Sequence, residues 1–335
     1  MNYMQSLKRK TVILGLIIIL LSVIAYSIGS GDIEISLNEI INTLIGKGTP
    51  LQNLVVFELR LPRIIVSVLV GIGMAIAGAT LQGLTGNDLA DPGILGVSSG
   101  AGFFVLIYIA IFSTASSISA VLLPILAFLG GMGAAIIIYL LIYKKGKNIS
   151  STRLLLTGVA VNTGINAATL FITLTLNRQQ YEFTQLWTAG SIWGDEWRYI
   201  VVLLPWVLAF SALIFYKSRI IDALNLGQEM AIGLGVNINK EFIVISIAAV
   251  ALASGCVAIG GSILFIGLIA PHLARKLVGA NNKILIPTSG LVGGIFLLMS
   301  DTIGRIIMSS TEIPAGIVVS IIGAPYFIYL LYKSK

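Results

Sequence analysis

The sequence predicts an all-α integral membrane protein that crosses the bilayer about ten times. Apolar residues make up 57% of its 335 residues and charged residues only 10%, whereas an average soluble domain has about 25% charged residues. The mean hydropathy of +0.99 agrees with this class, and long runs without charge are the third indication. These values exclude a soluble enzyme and a disordered chain. We expect one polytopic transmembrane domain over residues 1–335.

Runs without charge mark the expected spans, because a helix needs about 20 apolar residues to cross a hydrocarbon core of roughly 30 Å. Residues 113–117, rich in Ser, divide one long run, and Gly260-Gly261 divides another into a full span and a short one that ends near Pro271-His272. In chain order the expected spans are 11–28, 64–81, two within 92–143, 154–176, 199–216, two within 242–274, 284–300 and 313–332.

The distribution of basic residues predicts that both termini are cytoplasmic. Ten spans with an inner N-terminus place 15 of the 21 Lys and Arg residues inside, as the positive-inside rule requires. Six lie outside: Lys47, Arg60, Arg63, Arg178, Arg198 and Arg305. The net charge of +7 therefore reflects topology, which excludes nucleic-acid binding.

The first span also resembles a signal peptide, but its apolar stretch exceeds the usual 7–15 or so residues, and we expect it to be retained.

The sequence shows no catalytic or nucleotide-binding set. Cys256 and His272 are its only Cys and His, which excludes an internal disulfide and disfavours a metal site. A G-x-x-x-x-G-K-[ST] phosphate loop is absent, so we expect no ATP site and no cofactor in this chain. The middle of each expected span lacks Asp, Glu, Lys and Arg, which disfavours the main alternative, a secondary transporter coupled to an ion gradient.

A polar face runs along the fifth expected span. Asn162 and Asn166 are four residues apart, followed by Thr169 and Thr173 on the same side of a helix. Amides within a bilayer need partners. The face therefore either binds a neighbouring helix or lines a watery pathway, and both interpretations stay open.

Several segments recur in the order of a known family. They are Arg60-Leu61-Pro62-Arg63, Gly78-Ala79 with Gln82, residues 87–92, 95–98 and 100–101, residues 153–156 and 158–160, Trp187 with Gly190-Ser191, residues 267–272 with Arg275, Asp301-Thr302 with Gly304-Arg305, residues 312–316, and residues 323–325. Together they resemble the FecCD-type permease subunits of binding-protein-dependent ABC importers for iron-siderophores, haem and cobalamin. One departure is Asp88, where the family usually has proline.

The resemblance implies a cobalamin-importer-permease-like protomer of ten helices, one of them short, in a bacterial-type cell membrane. It implies four kinds of partner: membrane lipid, a second permease that is identical or paralogous, two cytoplasmic ATPase subunits that bind ATP and Mg, and an external solute-binding protein. Iron(III)-siderophores are the expected cargo, with haem or cobalamin-type chelates as alternatives, because these members share the motifs.

The resemblance also assigns a coupling role to the cytoplasmic loop 217–241. The pattern of residues 222–234 predicts two short helices divided by Gly227, with Asp222 as an N-cap and Gly235 as a stop. A solvated loop is the alternative. The residues expected to dock into the ATPase are Ala223, Leu224, Leu226, Gly227, Glu229 and Met230.

Two further sets are expected at the ends of spans. Binding-protein docking is assigned to Arg60, Arg63 and Arg305, with Arg60 just before a helix that begins near Pro62. Contact with lipid headgroups, or pairing with Glu58, Asp301 or Glu312, is the alternative. The inner gate is assigned to Asn87, Leu89, Ser151 and Thr152, with helix-end capping as the alternative. The pathway is assigned to Asn162 and Asn166 on the polar face of the fifth span, with contact to a neighbouring helix as the alternative.

Overall fold

The computed structural model describes residues 2–31, 33, 35–112, 121–143, 151–192, 196–307 and 312–333. In chain order the α-helices are α1 (Asn2–Gly29), α2 (Leu37–Leu44), α3 (Pro50–Asn53), α4 (Leu61–Thr85), α5 (Val97–Ile111), α6 (Leu122–Ile142), α7 (Ser151–Thr173), α8 (Arg178–Thr188), α9 (Trp197–Tyr216), α10 (Ser218–Asn225), α11 (Gln228–Gly233), α12 (Ile238–Gly260), α13 (Ile266–Val278), α14 (Asn282–Ile307) and α15 (Ala315–Lys333). A π-helical stretch, Leu54–Arg60, joins α3 to α4, and a short 3-10 turn, Pro92–Leu95, precedes α5.

The predicted all-helical membrane fold is confirmed, and its helices agree with about ten spans. Among the described residues, seven helices are long and apolar enough to cross a membrane, and two shorter apolar helices occupy the positions of α5 and α15. The 13-residue α13 is the predicted short span. The predicted break at residues 113–117 lies outside the described residues.

The predicted end of the short span near Pro271-His272 is wrong, because α13 continues through Pro271 to Val278. A proline inside a helix leaves the carbonyl group four residues earlier without its donor. That carbonyl belongs to Gly267, and the side-chain amide of Gln82 on α4 lies 3.4 Å from its oxygen and 3.3 Å from that of Leu268. A donor from another helix therefore replaces the missing one.

The most buried of the long helices are α4, α12 and α14. Their most apolar windows are 83%, 83% and 72% buried, whereas those of α1 and α7 are only 11% and 6% buried. Small residues allow this packing: a Cβ atom on Gly78 would lie 1.8 Å from the carbonyl oxygen of Gly267, so α4 and α13 meet backbone to backbone. The peripheral α1 and α7 are left for lipid, a partner chain or a pathway.

Candidate functional site

The loop 217–241, which is expected to be cytoplasmic, forms two helices, α10 and α11, as predicted. Gly227 joins them with φ 102°, a backbone conformation that favours glycine. The space around it is open, because no neighbouring atom lies within 4 Å of where a Cβ atom would be. Gly235, with φ 78°, follows the end of α11. The Nζ of Lys217 lies 2.8 Å from a carboxylate oxygen of Glu241, which ties the inner ends of α9 and α12 together beside the loop.

Solvent-exposed apolar side chains on α11 and next to its ends form an apolar surface. We call it the α11 surface; its members are Leu226, Met230, Ile232 and Leu234, which are 63%, 60%, 61% and 63% exposed. Glu229 is exposed beside it. Ile232 and Leu234 were missed by sequence reasoning, because a helix of six residues is too short for its apolar spacing to show which side packs inward.

Two members of the predicted docking set face the core instead. Ala223 is buried, and Leu224 is partly buried against the main core cluster. Asp222 is not the N-cap of its own helix, because α10 begins at Ser218. Its Oδ1 accepts hydrogen bonds from the backbone N–H of Asn282, at 3.0 Å, and from the side-chain amide, at 2.7 Å. Asp222 therefore caps α14, and the predicted N-cap role is corrected.

An ion cluster lies at the outer ends of α4 and α14. The guanidinium of Arg63 contacts Asp301 Oδ1 at 3.1 Å and Glu312 Oε2 at 2.5 Å. Arg305 Nε lies 3.3 Å from Asp301 Oδ2. The side chain of Asp301 is 1% exposed, whereas that of Glu312 is 58% exposed. A carboxylate this deeply buried needs such partners, so the local pairing that was the alternative to docking does occur.

Arg60 lies apart from this cluster. It is 6% exposed, and its guanidinium donates to the carbonyl oxygens of Ile28 and Ile33. Helix α4 begins at Leu61, so Pro62 lies in its first turn and Arg60 stands just before it, as predicted. The π-helical stretch that ends at Arg60 carries the chain without interruption from α3 into α4. The backbone N–H of Leu61 reaches back five residues to Val56 in this stretch. Arg60 is therefore inside the helical run.

The polar face of α7 divides into two parts. Asn162 donates to the carbonyl oxygens of Gly93 and Ile94, at 3.0 and 3.1 Å, and its Oδ1 accepts from the hydroxyl of Ser99. It therefore binds the neighbouring turn. Asn166, one turn further along, is exposed. The interpretation as interhelical contact holds for Asn162 and does not extend to Asn166.

The residues expected at the inner gate lie at the ends of α4 and α7. Asn87 Oδ1 accepts a hydrogen bond from the backbone N–H of Leu89 at 2.9 Å, which closes a local turn, and Leu89 is half-buried. Thr152 is exposed in the first turn of α7, and Ser151 begins that helix, but its side chain lies outside the described residues. Asp88 pairs with Arg275 on α13, so the residue that replaces the family's proline joins the turn to α13.

A cavity of about 340 Å³ opens where three segments meet near the outer half of the protein. It lies between the end of α8, the break before α13 and the start of α15. Its lining residues are Thr188, Ala189, Ser262, Leu264, Gly316, Ile317, Ser320 and Ile321. The hydroxyls of Thr188 and Ser320 donate to carbonyl groups of their own helices. These lining residues carry no charge. Sequence reasoning missed them, since isolated Ser and Thr residues in spans give no specific signal.

Comparisons with known proteins agree with this architecture. The FecCD transport family model matches residues 17–333. The chain is 39% identical over 327 residues to the iron-uptake system permease protein FeuC of Bacillus subtilis (strain 168), covering 96% of this chain and 97% of that protein. It is 41% identical over 338 residues to the iron(3+)-hydroxamate import system permease protein FhuG of the same organism, covering 99% and 100%.

A solved structure has the same fold. It is described as an inward-facing conformation of a metal-chelate type ABC transporter, and it is 29% identical with a TM-score of 0.83, covering 97% of this chain and 99% of the other. The family match and the two relatives each extend over nearly the whole chain. The chain therefore belongs to the FecCD transport family, as a multi-pass permease of the bacterial plasma membrane.

Proposed function

We propose that this chain is the membrane-spanning subunit of an ABC importer that carries an iron(III)-siderophore into the cytoplasm. The observation that supports this cargo is the identity of 39% and 41%, over nearly complete chains, to permeases named for iron uptake and for iron(3+)-hydroxamate import. Haem and cobalamin-type chelates are the alternative cargoes. ATP and Mg are bound by separate ATPase subunits.

The α11 surface is the proposed contact with the ATPase. Its four large apolar side chains are 60–63% exposed, and exposing them to water is unfavourable in free energy. A few residues at the centre of an interface usually supply most of the binding energy. Glu229, exposed beside them, supplies a charge that fixes orientation. Ala223 and Leu224 support this surface from the core side, and Gly227 permits the angle between α10 and α11.

The proposed pathway runs along α7 towards a second permease subunit. The most apolar window of α7 is only 6% buried, and the exposed amide of Asn166 requires a polar partner or water within the bilayer. A second permease facing α7 supplies both a covering surface and an enclosed path. The uncharged, mostly apolar cavity beside the start of α15 presents no strong binding site that would retain a passing chelate.

The outer ion cluster is the proposed docking site for the binding protein. Arg63 is the central residue, because it already binds Glu312, a mostly exposed carboxylate that a partner's carboxylate can replace. Arg305 supports it through the shared Asp301. For Arg60 we propose an indirect contribution: it holds the outer loop through two backbone carbonyl groups, which shapes the docking surface.

The inner gate is proposed at the ends of α4 and α7. Leu89, on the turn that Asn87 closes, supplies an apolar constriction that resists wetting. Ser151 and Thr152, the first two residues of α7, complete the proposed gate.

Uptake by proteoliposomes tests the proposal. The chain is reconstituted with the ATPase, the second permease and the binding protein of its importer. Radioactive iron is supplied as a hydroxamate siderophore, as haemin or as ferric citrate. We expect vanadate-sensitive, ATP-dependent uptake of the siderophore. Uptake driven by a proton gradient without ATP would contradict the ABC mechanism, and uptake of haemin alone would contradict the cargo.

A further inference from the structure

Helices α4 and α14 run antiparallel in continuous contact from the outer to the inner side of the protein. The contacts, in order from outside to inside, are Arg63 with Asp301, Gly71 with Gly293, and Ile76 with Gly290. From Arg63 to Gly83 the α4 axis rises roughly 30 Å at 1.5 Å per residue. This is about the thickness of the hydrocarbon core, so the pair connects the two membrane surfaces.

The two backbones touch at the centre of this pair. A Cβ atom on Gly71 would lie 2.4 Å from the carbonyl oxygen of Gly293, and a Cβ on Gly293 would lie 2.4 Å from that of Gly71. With the main chains in direct contact, neither helix can shift past the other without opening a closely packed interface. We therefore treat α4 and α14 as one rigid body, the α4–α14 pair.

The inner end of the pair is fastened to α10 at two points. Ile221 is fully buried and packs on Gly83, where a Cβ atom would lie 2.5 Å from its Cγ2. Asp222 accepts two hydrogen bonds from Asn282, the first residue of α14. Its carboxylate also meets the positive end of the α14 dipole. One contact therefore holds α10 to α4, and the other holds it to α14.

The outer end of the same pair carries the ion cluster. Arg63 belongs to α4, whereas Asp301 and Arg305 belong to α14, and the two helices are bound to each other there through the buried carboxylate of Asp301. Glu312, which precedes α15, extends the cluster to the outer surface. The pair thus has α10 at one end and the proposed docking arginine at the other.

We propose that the α4–α14 pair is a rigid strut that transmits movement between the ATPase contact and the outer docking surface, and that Asp222 is the positioning residue that fastens α10 to it. The inference rests on the proposed function, because the movement begins with an ATPase bound at the α11 surface. By linkage the coupling is reciprocal for binding: if the state of the ATPase changes the affinity for the binding protein through the strut, docking at the outer end favours that state of the ATPase by the same factor.

The fastening itself can be measured without any partner. Spin labels are attached at Arg219→Cys on α10 and Lys283→Cys on α14, both exposed, in a Cys256→Ala background, and the interspin distance is measured by pulsed electron resonance in nanodiscs. We expect a narrow distribution that broadens with Asp222→Ala. Asp222→Asn keeps an oxygen acceptor for the N–H of Asn282 and should restore the narrow distribution. Lys240→Ala, on the same cytoplasmic face, is the matched control. An unchanged distribution in Asp222→Ala would overturn the inference.

Transmission is measured in the reconstituted complex as the stimulation of ATP hydrolysis by the binding protein. We expect Asp222→Ala to reduce this stimulation about five-fold or more, the lower end of common coupling strengths, with unchanged basal hydrolysis and unchanged ATPase recovery. If Asp222→Ala is poorly produced, Ile221→Ala tests the other fastening point. Wild-type stimulation in both variants would refute the strut. Absence of ATPase assembly with the unmodified chain would instead refute the proposed function.

Discussion

The side-chain amide of Gln82 on α4 donates to the carbonyl oxygen of Gly267 on α13, over 3.4 Å. Gly267 is the residue whose carbonyl Pro271 leaves without its helical donor. A buried acceptor without a partner costs about 1–3 kcal/mol. We therefore expect Gln82→Leu to lower the free energy of unfolding by about that amount, as a reduced denaturation temperature of the purified chain in nanodiscs.

A double-variant cycle separates this effect from loss of packing. Pro271→Ala restores a backbone N–H four residues after Gly267, so the penalty of Gln82→Leu should be smaller in the Pro271→Ala background. Strictly additive effects of the two substitutions would show that the amide does not replace the missing donor.

The topology predicts which engineered thiols react with an impermeant reagent in intact cells. In a Cys256→Ala background, Arg178→Cys should react from outside, because its side chain is 91% exposed, and Lys240→Cys should react only after the cells are opened. Gln180 is less suitable as an outer position since it is only 7% exposed. Reaction of Lys240→Cys in intact cells would contradict the orientation.

Substitutions on the α11 surface should separate membrane insertion from ATPase binding. Met230→Asp and Ile232→Asp each replace an exposed apolar side chain with a charge, and Glu229→Arg reverses one. We expect wild-type amounts of permease in the membrane. The amount of ATPase recovered with the permease should fall at least about ten-fold, which corresponds to roughly 1.4 kcal/mol of binding free energy at a dominant interface residue. Lys240→Asp is the control. Unchanged ATPase recovery and transport in all three variants would argue against this surface.

Arg63 and Arg60 should respond differently to the loss of charge. Arg63→Gln is expected to slow association of the binding protein by roughly ten-fold at low salt and to weaken its salt dependence. Arg60→Gln leaves carbonyl groups of the outer loop unpaired. We therefore expect a smaller amount of folded protein, whereas the association rate of the protein that does fold should change little. Surface plasmon resonance and thermal unfolding measure the two effects. Arg178→Gln, an exposed outer arginine, is the control, and equal slowing by Arg178→Gln and Arg63→Gln would exclude a specific site.

The inner gate is tested by leakage. Leu89→Ala removes most of an apolar side chain from the proposed constriction, so the resting permease should release a small trapped reporter from vesicles faster than the wild type does. Leu156→Ala, an exposed position on the flank of α7, controls for general disturbance of the bilayer. Vesicles with Leu89→Ala that stay as tight as wild-type vesicles would place the constriction elsewhere.

The helices were predictable from the sequence because the bilayer fixes their length and permits no unpaired backbone. The end of α13 was not, since the residue that allows Pro271 within the helix is Gln82, 185 positions from Gly267. Sequence rules for proline consider only the local chain, and they contain no term for a donor supplied by another helix.

The site was predictable to a smaller extent for the same reason. The pattern of residues 222–234 indicated two helices and a glycine between them, but it assigned Asp222 to the wrong one, because its partner Asn282 lies 60 positions away. Arg60 and Arg63 look equivalent in the sequence. In the fold, Arg60 donates to carbonyl groups of the loop, whereas Arg63 forms an ion pair with Asp301. Only the fold distinguishes the two arginines.

Helix α7 also has a consequence for how much permease a cell can accumulate. Where the proposed second permease is a different chain, copies of this chain made in excess over it leave α7, with the exposed amide of Asn166, in contact with hydrocarbon, and an unpaired amide there is unfavourable. The excess copies are therefore the least stable population. The scarcer of two such permease subunits then limits the number of working transporters.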